Sequence, residues 1–136
     1  MKRWSMTMAL AAAGLFLLSG CPDLMKRDPV KLRAELAERV QAYNECFRWR
    51  EFEKAAQYVV PEKRGDFLTA METLRTGFSL DGFQVREIVV GPSGEEAVVK
   101  VRRTFVRAPS VDLQSVELTQ KWVLRDGVWF LESGPY

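Results

Sequence analysis

The chain has 136 residues, 47% of them hydrophobic, with 20 Lys and Arg against 18 Asp and Glu and no histidine. That length suits one domain around a single core. The missing histidine excludes Ser-His-Asp and Cys-His catalysis, an imidazole base and histidine metal sites. No Cys-x-x-Cys, Gly-rich phosphate loop or Asp-x-Asp-x-Asp-Gly loop occurs, so neither a cofactor nor a metal is expected. The net charge of +2 resides in Lys2 and Arg3, because beyond Gly20 the basic and acidic side chains balance. A balanced domain offers no basic stripe for nucleic acid.

The start of the chain is its most specific part. Met1-Lys2-Arg3 is basic, Met8 to Leu18 is an apolar run, and Leu18-Ser19-Gly20 precedes Cys21. This order resembles the lipobox of bacterial lipoprotein signal peptides. The resemblance implies cleavage before Cys21 and acylation of its thiol and new amino group. Residues 1–20 are then a signal peptide, and 21–28 the lipidated cysteine and a tether. The lipid bilayer becomes a partner and the bacterial cell envelope the location, with inner or outer membrane left open. A spanning helix would need about 20 apolar residues, more than this run offers, whereas two acyl chains make a stable anchor. With Cys21 lipidated, Cys46 has no partner for an intramolecular disulfide. It reads as a small apolar group on a helix, the other readings being a reactive thiol or an intermolecular bridge.

From Asp28 the pattern is helical. Asp28-Pro29 is a helix start, Asp accepting from orphan N–H groups and Pro fitting the first turn. Leu32, Leu36, Val40, Tyr43 and Phe47 follow at helical spacing and make one apolar face. A break near Arg48-Trp49 leads to a second helix with Phe52, Ala55, Ala56 and Val59. Pro61 ends that helix and opens a third, carrying Phe67, Leu68, Met71 and Leu74, with Gly77 as its stop.

The period then changes to two. Strands are predicted over Phe83–Val90, Ala97–Arg107, Leu113–Arg125 and Val128–Glu132. Turns lie at Gly91-Pro92-Ser93-Gly94, around Pro109 and at Asp126-Gly127. The last is a strong two-residue hairpin signal. It pairs Leu124 with Trp129 and Trp122 with Leu131, placing all four on one face. Helices followed by an antiparallel meander predict an α+β fold with the helices on one side of the sheet.

Three N-terminal helices, two long strands and the terminal Trp122-Val-Leu-Arg-Asp-Gly-Val-Trp129-Phe-Leu hairpin resemble the NTF2-like superfamily, which includes ketosteroid-isomerase-like proteins. The likeness covers Val30 to Glu132, and residues 29–136 become the NTF2-like domain. It implies a cone: three N-terminal helices packed on a curved antiparallel sheet of about four strands, often around an apolar pocket. It does not choose among enzymes, transport factors and binding modules, because function lies in the site.

The two long strands suggest where a site would be. A register with Val99 opposite Trp122 and Phe105 opposite Val116 gathers Val99, Val101, Phe105, Val116, Leu118, Trp122, Leu124, Trp129 and Leu131 on one face. Arg103 and Gln120 then point to that face as well. One reading makes them polar anchors for a small anionic or amphiphilic ligand, in a pocket walled by Tyr43, Phe47, Phe67, Phe105, Trp122 and Trp129. The other pairs Arg103 with a helix acid such as Glu45 or Asp66, or lets it snorkel at the sheet edge. The aromatics equally read as core. The ketosteroid-isomerase branch uses a carboxylate base with tyrosine and acid donors. Tyr43, Tyr58 and Asp66 supply those residue types but match no family position, so no catalytic residue is assigned. The expected protein is a lipid-anchored binding or interaction module. The alternatives are an isomerase- or hydrolase-like enzyme and a structural accessory subunit. A homodimer or an envelope protein partner could use the opposite sheet face, with Lys100, Arg102, Thr104, Val106 and Val123.

Overall fold

The computed structural model describes residues 28–134. Residues 1–27, on which the expected signal peptide, Cys21 and the tether fall, lie outside the described residues, as do 135 and 136. The chain runs α1 (Pro29–Arg48), α2 (Phe52–Ala55), α3 (Arg64–Leu74), then β1 (Phe78–Val90), β2 (Glu96–Arg107), β3 (Gln114–Arg125) and β4 (Val128–Ser133). The strands form one antiparallel sheet in the order β1-β2-β3-β4.

α1 starts where its capping chemistry says. The Asp28 carboxylate accepts from the Val30 N–H at 2.9 Å, and Pro29 sits in the first turn. Its face of Leu32, Leu36, Val40, Tyr43 and Phe47 is buried along its length. α1 lies along β1 and reaches β4: Arg33 Nη1 donates to Ile88 O at 2.9 Å, and Trp129 Nε1 donates to Leu32 O at 3.1 Å.

The second helix is shorter than its apolar spacing predicts. Four residues are α-helical; Ala56–Tyr58 tighten into a 3-10 turn, and Val59 extends to bridge Leu131. Val60 N–H donates to Leu131 O at 2.9 Å. The backbone leaves the helix to cover the edge strand β4, a satisfactory use for otherwise unpaired edge groups. Phe52, Ala55, Ala56 and Val59 all stay buried as expected. A second 3-10 turn, Pro61–Lys63, leads into α3.

β1 begins at Phe78, five positions before the predicted start at Phe83. Register shifts at Leu80/Gly82 and Val85/Glu87 interrupt its alternation, so period-two reading misses its first half. The Asp126-Gly127 hairpin forms as predicted: both residues have positive φ, as a type I′ turn requires, and Trp122 pairs with Leu131 and Leu124 with Trp129.

The β2–β3 register corrects the expected one. Val99 lies opposite Gln120 and Ala97 opposite Trp122; Phe105 pairs with Gln114 and Arg103 with Val116. The strands are slipped by two residues from the expected pairing. A two-residue slip leaves every side chain on its face, so hydrophobic alternation cannot distinguish the two registers. Arg103 and Gln120 therefore still face the helices, and Arg102 faces away and is exposed.

Candidate functional site

The inner face of β2 alternates Ala97, Val99, Val101, Arg103 and Phe105. The first four are buried, Arg103 to 2% exposure, and Gln120 on β3 is 1% exposed. Across from them, α1 carries a polar residue inside its apolar stripe. Asn44 stands four residues after Val40 and three before Phe47, and helical periodicity sends it inward. It is the third buried polar side chain among the described residues.

These three residues form one network. Asn44 Nδ2 donates to Val40 O at 2.8 Å, which leaves Oδ1 facing the sheet. Arg103 donates to that oxygen through Nη2 at 2.9 Å and Nε at 3.3 Å, and Gln120 Nε2 donates to it at 3.4 Å. Gln120 Oε1 in turn accepts from Trp122 Nε1 at 3.2 Å. A reversed Asn44 amide would set its own N–H groups against three donors, so the network dictates its orientation.

Arg103 thus has no acid. Among the described residues no carboxylate forms an ion pair with it, and no Asp or Glu is buried. Of the expected partners, Glu45 accepts from Trp49 Nε1 at 2.9 Å instead, and Asp66 is exposed. The guanidinium rests on aromatic faces, its Cζ 4.0 Å from the Phe47 ring centroid and 6.0 Å from that of Tyr43. Burial pushes the Arg103 pKa down, while the hydrogen-bonded Tyr43 phenol works in the opposite direction. Desolvating one ion costs several kcal/mol. A desolvated cation–π contact returns about 2 kcal/mol and hydrogen bonds to a charge about 1.5–3 kcal/mol each. Such contacts make the burial tolerable, yet they leave the positive charge uncancelled.

Arg103 also forms part of the wall of a cavity of about 210 Å³ at one end of the sheet. Phe47, Leu74, Phe78, Phe105, Val116 and Leu118 supply its apolar surface, and Arg107 is its other polar residue. Phe78 and Phe105 stack with centroids 5.2 Å apart, and Arg107 Cζ lies 6.0 and 5.9 Å from their rings. Arg107 is exposed and Arg103 is buried, so the cavity has one cation at its rim and one inside.

The expected site residues separate into two groups. Phe47, Phe105 and Arg103 meet at this cavity. Gln120 reaches it only through Asn44. Tyr43, Phe67, Trp122 and Trp129 are closed in the core, with Tyr43 edge-on to Trp122 at 6.0 Å. Tyr58 lies under the Arg39 guanidinium at 4.7 Å and does not line the cavity. Sequence reasoning missed Asn44, Leu74, Phe78, Arg107, Val116 and Leu118 as site residues. Asn44 carried a usable signal, a lone amide in an apolar stripe; Phe78 was hidden by the bulges in β1.

No protein-family model and no curated protein matches the chain. Solved structures do. An NTF-2 like protein of unknown function from Shewanella oneidensis superposes with a TM-score of 0.61 at 15% identity, covering 79% of this chain and 97% of that one. A ketosteroid isomerase-like protein from Erwinia carotovora atroseptica gives 0.59 at 13% identity, over 75% and 92%. The fold is NTF2-like. The same fold extends to a SEC-C motif containing protein from Rhodopseudomonas palustris, with a TM-score of 0.61 at 14% identity over 71% and 74%. Identities this low carry architecture alone, so the chemistry of an NTF2-like domain has to be argued from its own residues.

Proposed function

We propose that this protein is a lipid-anchored bacterial envelope protein, held to a membrane through acylated Cys21, whose NTF2-like domain binds a small anionic amphiphile. The sheet curving as a cone around the helices would leave its open end at the Arg103 cavity. The observation that carries the reading is Arg103 itself: a buried guanidinium beside an apolar cavity, donating to the neutral amide of Asn44 and facing no carboxylate. Such a wall suits an apolar tail and an anionic head. Proton-transfer chemistry would need a base within reach of the ligand, and among the described residues every Asp and Glu lies outside the core. The binding reading is therefore preferred to the isomerase-like one. The lipobox resemblance and the two-chain requirement for stable anchoring support the membrane attachment. No helix of the described residues is long and apolar enough to cross a membrane.

Two measurements test the two parts. Mass spectrometry of the membrane fraction should find an acylated N-terminal Cys21, and Cys21→Ser should accumulate unprocessed precursor. An intact Met1 in mature material would end the anchoring proposal. Displacement of a fluorescent fatty acid should show saturable binding to the acylated protein, weakened at least tenfold by Arg103→Met. Equal binding by the variant would remove Arg103 from the site.

A further inference from the structure

We propose that Asn44 sets the charge of the Arg103 cavity, making it a site for a single negative charge: the carboxylate of a small aliphatic acid. This inference rests on the binding reading above and adds a ligand class and a specificity-determining residue to it.

The argument starts from what Asn44 replaces. A buried arginine facing a helix is ordinarily matched by a carboxylate, and Arg103 reaches this position with Nε and Nη2 both directed at one oxygen. That oxygen belongs to an amide. Asn44 gives Arg103 acceptor geometry without negative charge, and its amide nitrogen donates to Val40 O. Gln120, the next group in the network, is also neutral, and it contributes another donor to the crowded Oδ1. One positive charge therefore stays uncancelled at the cavity wall, where a bound monoanion would neutralise it.

The size of the cavity narrows the ligand further. About 210 Å³ is room for roughly seven water-sized groups at about 30 Å³ each. A six-carbon monocarboxylate is of that order. Its chain would lie against Leu74, Phe105 and Leu118. A phosphate monoester at neutral pH brings close to two negative charges, more than the one charge inside can match. Arg107 at the exposed rim is hydrated and compensates a second charge weakly.

The test uses the acylated protein in lipid nanodiscs and titration calorimetry, with empty nanodiscs as the blank. The probes are hexanoate, hexanol and butyl phosphate, of similar length, above neutral pH. Hexanoate should bind at least tenfold more tightly than either of the others. Asn44→Asp should lower hexanoate affinity at least tenfold and leave hexanol affinity unchanged or improved, because the introduced carboxylate takes the ligand's place. Gln120→Glu, which adds the charge one residue further along the network, should act in the same direction should Asn44→Asp fail to fold. Tighter binding of butyl phosphate than hexanoate would overturn the single-charge assignment while leaving the binding module standing, as would equal binding of all three. Undiminished hexanoate binding in a folded Asn44→Asp protein would overturn the role of Asn44. Failure of all three probes against wild type would remove this inference, whereas the fluorescent fatty acid of the earlier test would report separately on the broader reading.

Discussion

The two ends of the inner sheet face are built differently. Near the β3–β4 hairpin Trp122, Trp129 and Leu131 are sealed. Both indole N–H groups there are satisfied, one by Leu32 O and the other by Gln120. At the opposite end Phe78, Phe105 and Leu118 are only half-buried and Val116 is 38% exposed. Along β2 the same contrast appears within one strand: strict alternation from Ala97 to Arg103, then intermediate burial through Thr104, Phe105 and Val106. Alternation in the chain continues, but its cover stops, because α1 ends at Arg48 and α3 at Leu74. Apolar patterning says which way a side chain points, and the length of the opposing helices says whether it is covered. The uncovered stretch is where the cavity beside Arg103 lies.

The contrast can be broken most directly at the sealed end. Trp122→Ala and Trp129→Ala should each cost about 3–5 kcal/mol, the range for a buried aromatic that leaves a cavity. Denaturant unfolding would show it, and wild-type midpoints in both variants would refute the sealed-end assignment. Phe105→Ala at the open end should cost less, about 1–2 kcal/mol, since its ring is half-exposed and its stack on Phe78 contributes only part of a buried side chain's worth. A loss as large as that of the tryptophans would mean the two ends are packed alike.

The smallest effect concerns the rim of the sealed end, where Arg125 grips Glu62 in a bidentate pair at 2.9 and 2.7 Å. The hydrogen bond from Arg125 is the main cause holding the Glu62 carboxyl below the usual glutamate range. A lowered folded-state pKa means its contribution is present above the unfolded value, near pH 4, and fades as pH falls through the lower folded value. Glu62→Gln should flatten this part of the acid limb of a stability–pH profile and leave the neutral limb almost unchanged. The pair is exposed, and exposed pairs contribute little.

Much of this architecture is legible in the amino-acid sequence. Asp28-Pro29 announced α1, and the spacing of Leu32, Leu36, Val40, Tyr43 and Phe47 named its buried face. Asp126-Gly127 determined the last hairpin down to the pairing of Trp122 with Leu131. Alternation alone put Arg103 and Gln120 on the inner face. These are local facts: capping, helical period, turn chemistry and the two-residue period of a strand act over a few residues and can be read there.

Other features depended on residues far apart in the chain. The β2–β3 register moved by two positions because alternation is blind to even slips. The first half of β1 was masked by its bulges, which are set by pairing with β2. Charge matching predicts an acid as the partner of Arg103, whereas the partner is Asn44, 59 positions away. Sequence alone determined which side chains turn inward. Only the tertiary structure decided which of them meet, because packing a helix of set length on a twisted sheet chooses contacts, cover and charge balance together.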